Sequence, residues 1–340
     1  MPTLDLTNGL SIVIPFYNEG DNTVKATKAA EEALAKIKLP FEILVVDDGS
    51  TDGANKRDFP ECVIYIRKNH SGRVDTRLTG LKESRYENVL FVDARVWLHA
   101  ESLANLISEI EKNPNSAFWN GHLVMNHLSP LSSIWETLVG VGWKRISENE
   151  TVKFGIEEFD RFPKGTGFFL ASRTNWLHAF NKLKSVENLK LEISDDTKLL
   201  REFAQIGQIW ISGKVSAQYV SRTTFKAFSR NCFYRGQTFV DSYWNSPTIF
   251  GKLVRWLFPL SICLTVLTFF FSGMAGLLWL VFGGTFFITG AFFLFSLKSW
   301  KNTSRAMKES LALVPLIYFF AVGFAKSYVL GFRLRQNSEL

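Results

Sequence analysis

From residue 9 to residue 112, short apolar runs alternate with stretches whose apolar positions recur every three or four residues. Residues 9–19 read as a strand running into a loop, and 41–46, 63–66 and 88–93 as three further strands. Stretches 21–38, 72–83 and 100–112 have helical spacing. In the first, Val24, Ala29, Ala33, Leu34 and Ile37 are apolar among Lys and Glu, and Asp21 or Asn22 can cap it. A shorter helical candidate covers 51–59. Strands alternating with helices at this spacing imply βαβ units and a mostly parallel sheet. Residues 113–164, with Trp119, Trp135 and Trp143 scattered through them, read as a strand followed by irregular or helical material near a membrane. A helix opens within 193–203, and 209–211 and 217–220 read as strands.

The pattern changes in the last third. Residues 223–244 place Phe225, Phe228, Cys232, Gly236, Phe239 and Tyr243 along one stripe of a helix, expected to lie at a bilayer surface. A core helix of the preceding domain is the alternative. Apolar segments at about 255–272, 276–297 and 311–332 follow, each near the roughly twenty residues that a span requires. The expected organisation is an α/β domain over 1–221, an interfacial helix and linker over 222–254, and a membrane region over 255–335. Lys298, Lys301, Arg305 and Lys308 follow the second segment, which puts that loop and the α/β domain in the cytoplasm. Three crossings would send Arg333 and Arg335 outward, against the same rule, so the third segment is re-entrant or its tail is tolerated. The expected location is the inner cell membrane, multi-pass.

Two of the four strands end on carboxylates. Leu44-Val45-Val46 runs into Asp47-Asp48-Gly49-Ser50-Thr51-Asp52-Gly53, and Val92 is followed by Asp93. Parallel strands present their carboxyl ends at one edge, where ligands bind in open α/β sheets. Taken alone, each is an acidic turn; together they form a constellation. Gly165-Thr166-Gly167 leads into another strand and allows a backbone to approach a ligand closely, although such a loop is commonly a simple turn. Asp195-Asp196 opens a helix, where acids also complement the positive helix end.

A formal net charge of +7 beside apolar spans points to an anionic membrane surface, and no nucleic-acid-binding signature accompanies it. Cys62, Cys232 and Cys263 are far apart, which argues against a zinc site or a disulfide framework and fits a reducing compartment. The apolar run 10–16 is too short for a signal peptide and contains Pro15.

Taken in order, these residues resemble family 2 glycosyltransferases, inverting enzymes with the GT-A nucleotide-binding fold. Pro15-Phe16-Tyr17-Asn18-Glu19 resembles the family's PxYNE, and residues 45–53 its DDGSTDG. Asp93-Ala94-Arg95 stands where the family carries a DxD-type motif. Gly165-Thr166-Gly167 resembles the glycine element of the acceptor region, and Asp195-Asp196 the acidic motif that supplies the base. The likeness is greatest to membrane-anchored, succinoglycan-type enzymes of exopolysaccharide assembly, with Tyr234-Arg235-Gly236 among its points. The QxxRW motif of processive synthases is missing.

The resemblance implies a sugar transferred from a nucleotide donor, a UDP-sugar by family precedent, to a lipid-linked acceptor. Pro15, Tyr17, Asn18, Glu19, Asp47, Asp48, Asp93, Ala94, Arg95 and Arg77 become the expected donor-binding residues, with Asp47 or Asp48 on the base and ribose. Asp93 becomes the expected ligand of Mg²⁺ or Mn²⁺. Asp196, or else Asp195, becomes the general base, and Gly165, Thr166, Gly167, Arg230 and Arg235 the acceptor or phosphate contacts. Arg95 departs from the motif: a cation replaces the second acid, so metal dependence is open and Arg95 itself could face the diphosphate. Arg73 and Arg77 are placed to reach phosphates or else to line a solvated helix face. Interfacial snorkelling is the alternative for Arg230 and Arg235. Two other functions fit: transfer onto polyprenyl phosphate itself, and non-catalytic nucleotide-sugar binding.

Overall fold

The computed structural model describes residues 4–125, 129–184, 195–244, 246 and 248–336, without the side chains of 184, 195 and 331–336. The chain forms two compact units. The first contains residues 1–126, 142–188 and 195–221; the second contains 127–141, 189–194 and 222–340.

In the first unit, β1 (Leu10–Phe16), β2 (Phe41–Asp47), β3 (Val63–Arg67) and β4 (Asn88–Val92) form a parallel group in the order β3-β2-β1-β4. Aliphatic residues fill the two central strands: Ile12, Val13, Ile14, Val89, Leu90 and Phe91 are wholly buried, as strands covered on both faces require. Helices α1 (Gly20–Leu34), α2 (Arg73–Glu83) and α3 (Ser102–Lys112) supply the crossovers. Gly80 of α2 lets that helix lie on Val13 and Val46, because a Cβ there would run into both side chains.

Beyond β4 the sheet is mixed, unlike the mostly parallel one expected. Strand β8 (Phe168–Ser172) pairs antiparallel with β4 and with β6 (Phe118–Met125). Strand β9 (Ile209–Tyr219) runs parallel to β6 and antiparallel to β5 (Val96–Leu98) and β7 (Thr151–Phe154). The two strands expected at 209–211 and 217–220 are thus one. The irregularity lies in β9, whose register on β6 passes from Gly121↔Ser212 to His122↔Ser216. Residues 51–59 hold only a short 3-10 turn, Lys56–Asp58, in place of the expected helix. Helices α5 (Arg173–Lys184) and α6 (Asp195–Ile206) pack beside β8, with Trp176, Phe180 and Phe203 wholly buried.

The second unit contains α4 (Pro130–Gly142, as far as Val141), α7 (Phe225–Tyr243), α8 (Ile249–Trp300) and α9 (Thr303–Gln336). The stripe of α7 packs mainly against α9. Gly236 meets the backbone of Phe320 and Phe324, and Gly323 meets that of Phe233, so the two helices approach at backbone distance. Phe225, at the end of the stripe, is 57% exposed. At 52 residues and 1.5 Å per residue, α8 would run about 78 Å if straight, well beyond one bilayer core. Its helical backbone is interrupted at Gly273, with φ +59° and ψ −154°, inside the turn expected between the first two spans. Helices α8 and α9 are both long and apolar enough to cross a membrane. Glu309 of α9 is buried and accepts from Thr137 Oγ1, Ser296 Oγ and Arg305 Nε, each at 2.7 Å, which joins α4, α8 and α9.

Candidate active site

The two N-terminal motif loops fasten to each other. Asn18, at φ +53°, donates its amide to Ser50 Oγ at 2.9 Å, and its Oδ1 accepts from the Thr51 amide at 2.7 Å. The carboxylate of Asp52 accepts from the Gly20 amide at 2.9 Å, capping α1 across the loops in place of the expected Asp21 or Asn22. Gly49 is required by its φ of +75° and because a Cβ would press on the backbone of His70 and Lys68.

Asp47 and Asp48 are both buried. Asp47 accepts from the Ser50 amide at 2.8 Å, the Tyr65 hydroxyl at 2.7 Å and Arg67 Nη1 at 3.0 Å. Asp48 accepts from the amides of Ser71 and Gly72 at 3.0 and 2.9 Å, before the first turn of α2, and His70 Nδ1 lies at 2.8 Å. Burial works to raise the Asp48 pKa, but the two amides, Thr76 and Lys68 outweigh it and leave the group below its ordinary value. In this arrangement both carboxylates order the loops. Tyr17, 42% exposed, stacks on His70 with ring centroids 4.1 Å apart and offers an aromatic face beside them. Pro15 is the penultimate residue of β1, two positions before Tyr17.

Asp93, Arg77, Thr166 and Asp196 converge. Asp93 follows β4, and its amide donates to Gly167 O at 3.0 Å. The Arg77 guanidinium, only 2% exposed, donates from Nη2 to Asp93 Oδ1 at 2.8 Å and from Nη1 to Asp196 Oδ1 at 3.4 Å. Arg77 is therefore not on a solvated face but bridges two carboxylates brought from β4 and α6. The Thr166 hydroxyl donates to Asp196 Oδ1, and Thr166 is wholly buried. Gly167 admits Asp93: a Cβ there would lie 2.8 Å from Asp93 Oδ2. The Gly165 amide donates to Asn120 Oδ1 at 3.0 Å, and Lys164 Nζ donates to Phe159 O and Phe162 O, so the loop is held from both sides. Neither Asn120 nor Lys164 belongs to a motif, and only the fold reveals their part. The side chains of Asp93 and Asp196 remain 36% and 42% exposed, open to a substrate. The side chain of Asp195 lies outside the described residues, as do 191–194 of the stretch before it.

Ala94 lies in the turn where the Val96 amide donates to Asp93 O. Arg95 donates from Nε to Glu19 Oε1 at 2.7 Å and from Nη1 to Val220 O at 3.1 Å. It ties the PxYNE loop to the end of β9. Arg73 is exposed at the start of α2. Arg230 and Arg235 are exposed on α7 in the second unit, with the Arg235 guanidinium 4.4 Å from the centre of the Trp135 ring.

A divalent ion needs several oxygen ligands. Asp93 offers one carboxylate, already paired with Arg77, and the next position of the motif is a second cation. Among the described residues no group of three or more His, Cys, Asp or Glu could hold a metal ion. The residues do not fit an ion held by protein ligands.

Residues 11–152 match the family model for glycosyl transferase family 2. An undecaprenyl-phosphate 4-deoxy-4-formamido-L-arabinose transferase of Pseudomonas fluorescens is 30% identical over 110 residues, 30% of this chain and 32% of its own length. The enzyme so named in Proteus mirabilis is 25% identical over 120 residues, covering 33% and 36%. The chain thus spans about a third of the length of these curated relatives. The mannosyltransferase PcManGT from Pyrobaculum calidifontis, in complex with GDP-Man and Mn²⁺, superposes with a TM-score of 0.50 at 15% identity, over 91% of this chain and 87% of that one. Metal dependence is typical of the family, which makes the cation at position 95 a departure. The motif loops, the mixed sheet and these matches place a family 2 glycosyl transferase domain, on the GT-A fold, in this chain.

Proposed function

We propose that the protein is a membrane-anchored, inverting glycosyltransferase that moves a sugar from a nucleotide donor to a hydroxyl of a lipid-linked acceptor. The observation that carries this reading is the Asp93–Arg77–Asp196 bridge at the carboxyl edge of the parallel strands. It sets a partly exposed carboxylate, oriented by Thr166, beside the end of β4.

In the proposed reaction the acceptor hydroxyl gives its proton to Asp196 as its oxygen attacks the anomeric carbon. The bond from that carbon to the diphosphate oxygen breaks on the opposite face. The electron pair leaves with the nucleoside diphosphate, and the configuration inverts. Arg77 and Thr166 hold Asp196 in line, which removes orientational freedom before the step. Tyr17 is proposed to face the nucleobase, and the loops ordered by Asp47 and Asp48 to shape its pocket. Gly165–Gly167 borders the acceptor. Helices α8 and α9 anchor the protein in the cytoplasmic membrane, with the catalytic unit on the cytoplasmic side and Arg230 and Arg235 near lipid phosphate.

The relatives named as undecaprenyl-phosphate transferases favour a second reading, in which lipid phosphate is the acceptor. The two differ at Asp196. A phosphate monoester is largely ionised at neutral pH, with a second pKa of about 6, and needs no base. A hydroxyl does. Detergent-purified protein given a panel of nucleotide-sugars and native lipid extract should release nucleoside diphosphate only when lipid is present. A product stable to mild acid is expected for a glycan linkage; an acid-labile sugar phosphate would establish the second reading. Release of no nucleotide from any donor would favour a binding protein.

A further inference from the structure

We infer that the donor's diphosphate is held by Arg95 in place of a divalent ion, so that nucleotide binding survives complete chelation. The inference rests on the nucleotide-sugar reading above.

Three observations carry it. The carboxylate of Asp93 already faces a cation, because Arg77 donates to Oδ1 at 2.8 Å from a guanidinium that is 2% exposed and is not readily swung away. On the other side, Oδ2 lies against Gly167, where there is no room even for a Cβ. An ion on this carboxylate would approach one fixed positive charge at Arg77 and a second at Arg95, which repel it. Second, Arg95 is positioned and not loose. Its Nε is on Glu19 and its Nη1 on Val220 O, and its Nη2 has no protein acceptor among the described residues. Its side chain is 20% exposed. A guanidinium oriented by a carboxylate, with a further N–H to offer, suits a diphosphate oxygen. Third, the charge balances. Relative to a motif with an acid at position 95, arginine changes the local charge from −1 to +1, a shift of two units. That equals the charge a bound Mg²⁺ or Mn²⁺ would bring to a DxD site.

The test uses the full chain purified in detergent and titrates UDP, GDP, CDP, ADP and dTDP by calorimetry, in excess EDTA and in Mn²⁺. The wild-type Kd for the preferred nucleotide should agree between the two conditions within about threefold. Arg95→Gln should weaken binding in EDTA by about tenfold or more, with its thermal unfolding recorded beside it. Arg95→Asp should bind weakly in EDTA and in Mn²⁺ alike, because Arg77 still faces Asp93. Weakening of wild-type binding by about tenfold or more under EDTA overturns the inference and leaves the nucleotide-sugar reading standing. A folded Arg95→Gln that binds like wild type in EDTA also overturns it. If none of the five nucleotides binds in either condition, both readings fail. The wild-type comparison needs no variant, so a misfolded substitution does not remove the test.

Discussion

At the scale of single residues, Arg77 changes most between sequence and structure. On α2 it reads as one of two arginines that reach phosphates or line a solvated face. Its acceptors lie 16 and 119 residues further along the chain, and no local spacing announces them. Arg77→Lys keeps a charge but loses the planar fork that reaches both carboxylates. It should lower the turnover rate by about a hundredfold with a smaller change in nucleotide affinity, measured by steady-state transfer and by binding. Asp48 was legible as a strand-end carboxylate but not as the group holding the start of α2, because the Ser71 and Gly72 amides reach it only through tertiary structure. Its folded pKa lies below the ordinary 3.8. The stability it contributes is therefore fully present above that value and is lost as pH falls below it, through the lower folded pKa. Asp48→Asn should destabilise the first unit by about 1–2 kcal/mol at pH 7, and its loss relative to wild type should shrink in acid; denaturant titrations at pH 7 and pH 3 check both.

At the scale of elements, periodicity found the parallel half of the sheet because β1–β4 are continuous apolar runs between amphipathic helices. The mixed half is harder to read. Strand β5 spans only Val96–Leu98, and Ser212-Gly213-Lys214 breaks the apolar pattern of β9 where its pairing with β7 ends and its register on β6 shifts. The stripe of α7 was legible as a stripe, but its partner was not: close packing by Gly236 and Gly323 shows only when α9 is set beside α7. Gly236→Leu must part the two backbones and should destabilise the second unit by roughly 1–3 kcal/mol or more, seen as earlier thermal unfolding in detergent. Val240→Leu on the same helix should cost less, since that position already holds a branched side chain and only one methylene is added.

At the scale of the whole molecule, the order of motifs along the chain was the strongest sequence signal. Four segments, at 15–19, 45–53, 93–95 and 165–167, come together in one unit with Asp196, and apolar helices occupy the other. What the sequence alone does not carry is which charges meet. Glu19 and Arg95 are 76 residues apart, and their pairing explains how a cation stands in a motif that elsewhere is acidic. The membrane reading predicts that the protein stays with the membrane fraction in high salt and alkaline carbonate and is released by detergent. Release by salt alone would mean that α8 and α9 do not span.

The central claim is that Asp196 is the base that deprotonates an acceptor hydroxyl. The most direct measurement compares wild type with Asp196→Asn in one preparation, following sugar transfer to native lipid and nucleoside diphosphate affinity together. The amide keeps the shape and accepts from Thr166 but cannot take the proton. The account predicts transfer reduced by about a thousandfold, within the range for a lost general base, with nucleotide affinity within about threefold of wild type. Transfer at the wild-type rate by the folded variant would contradict it.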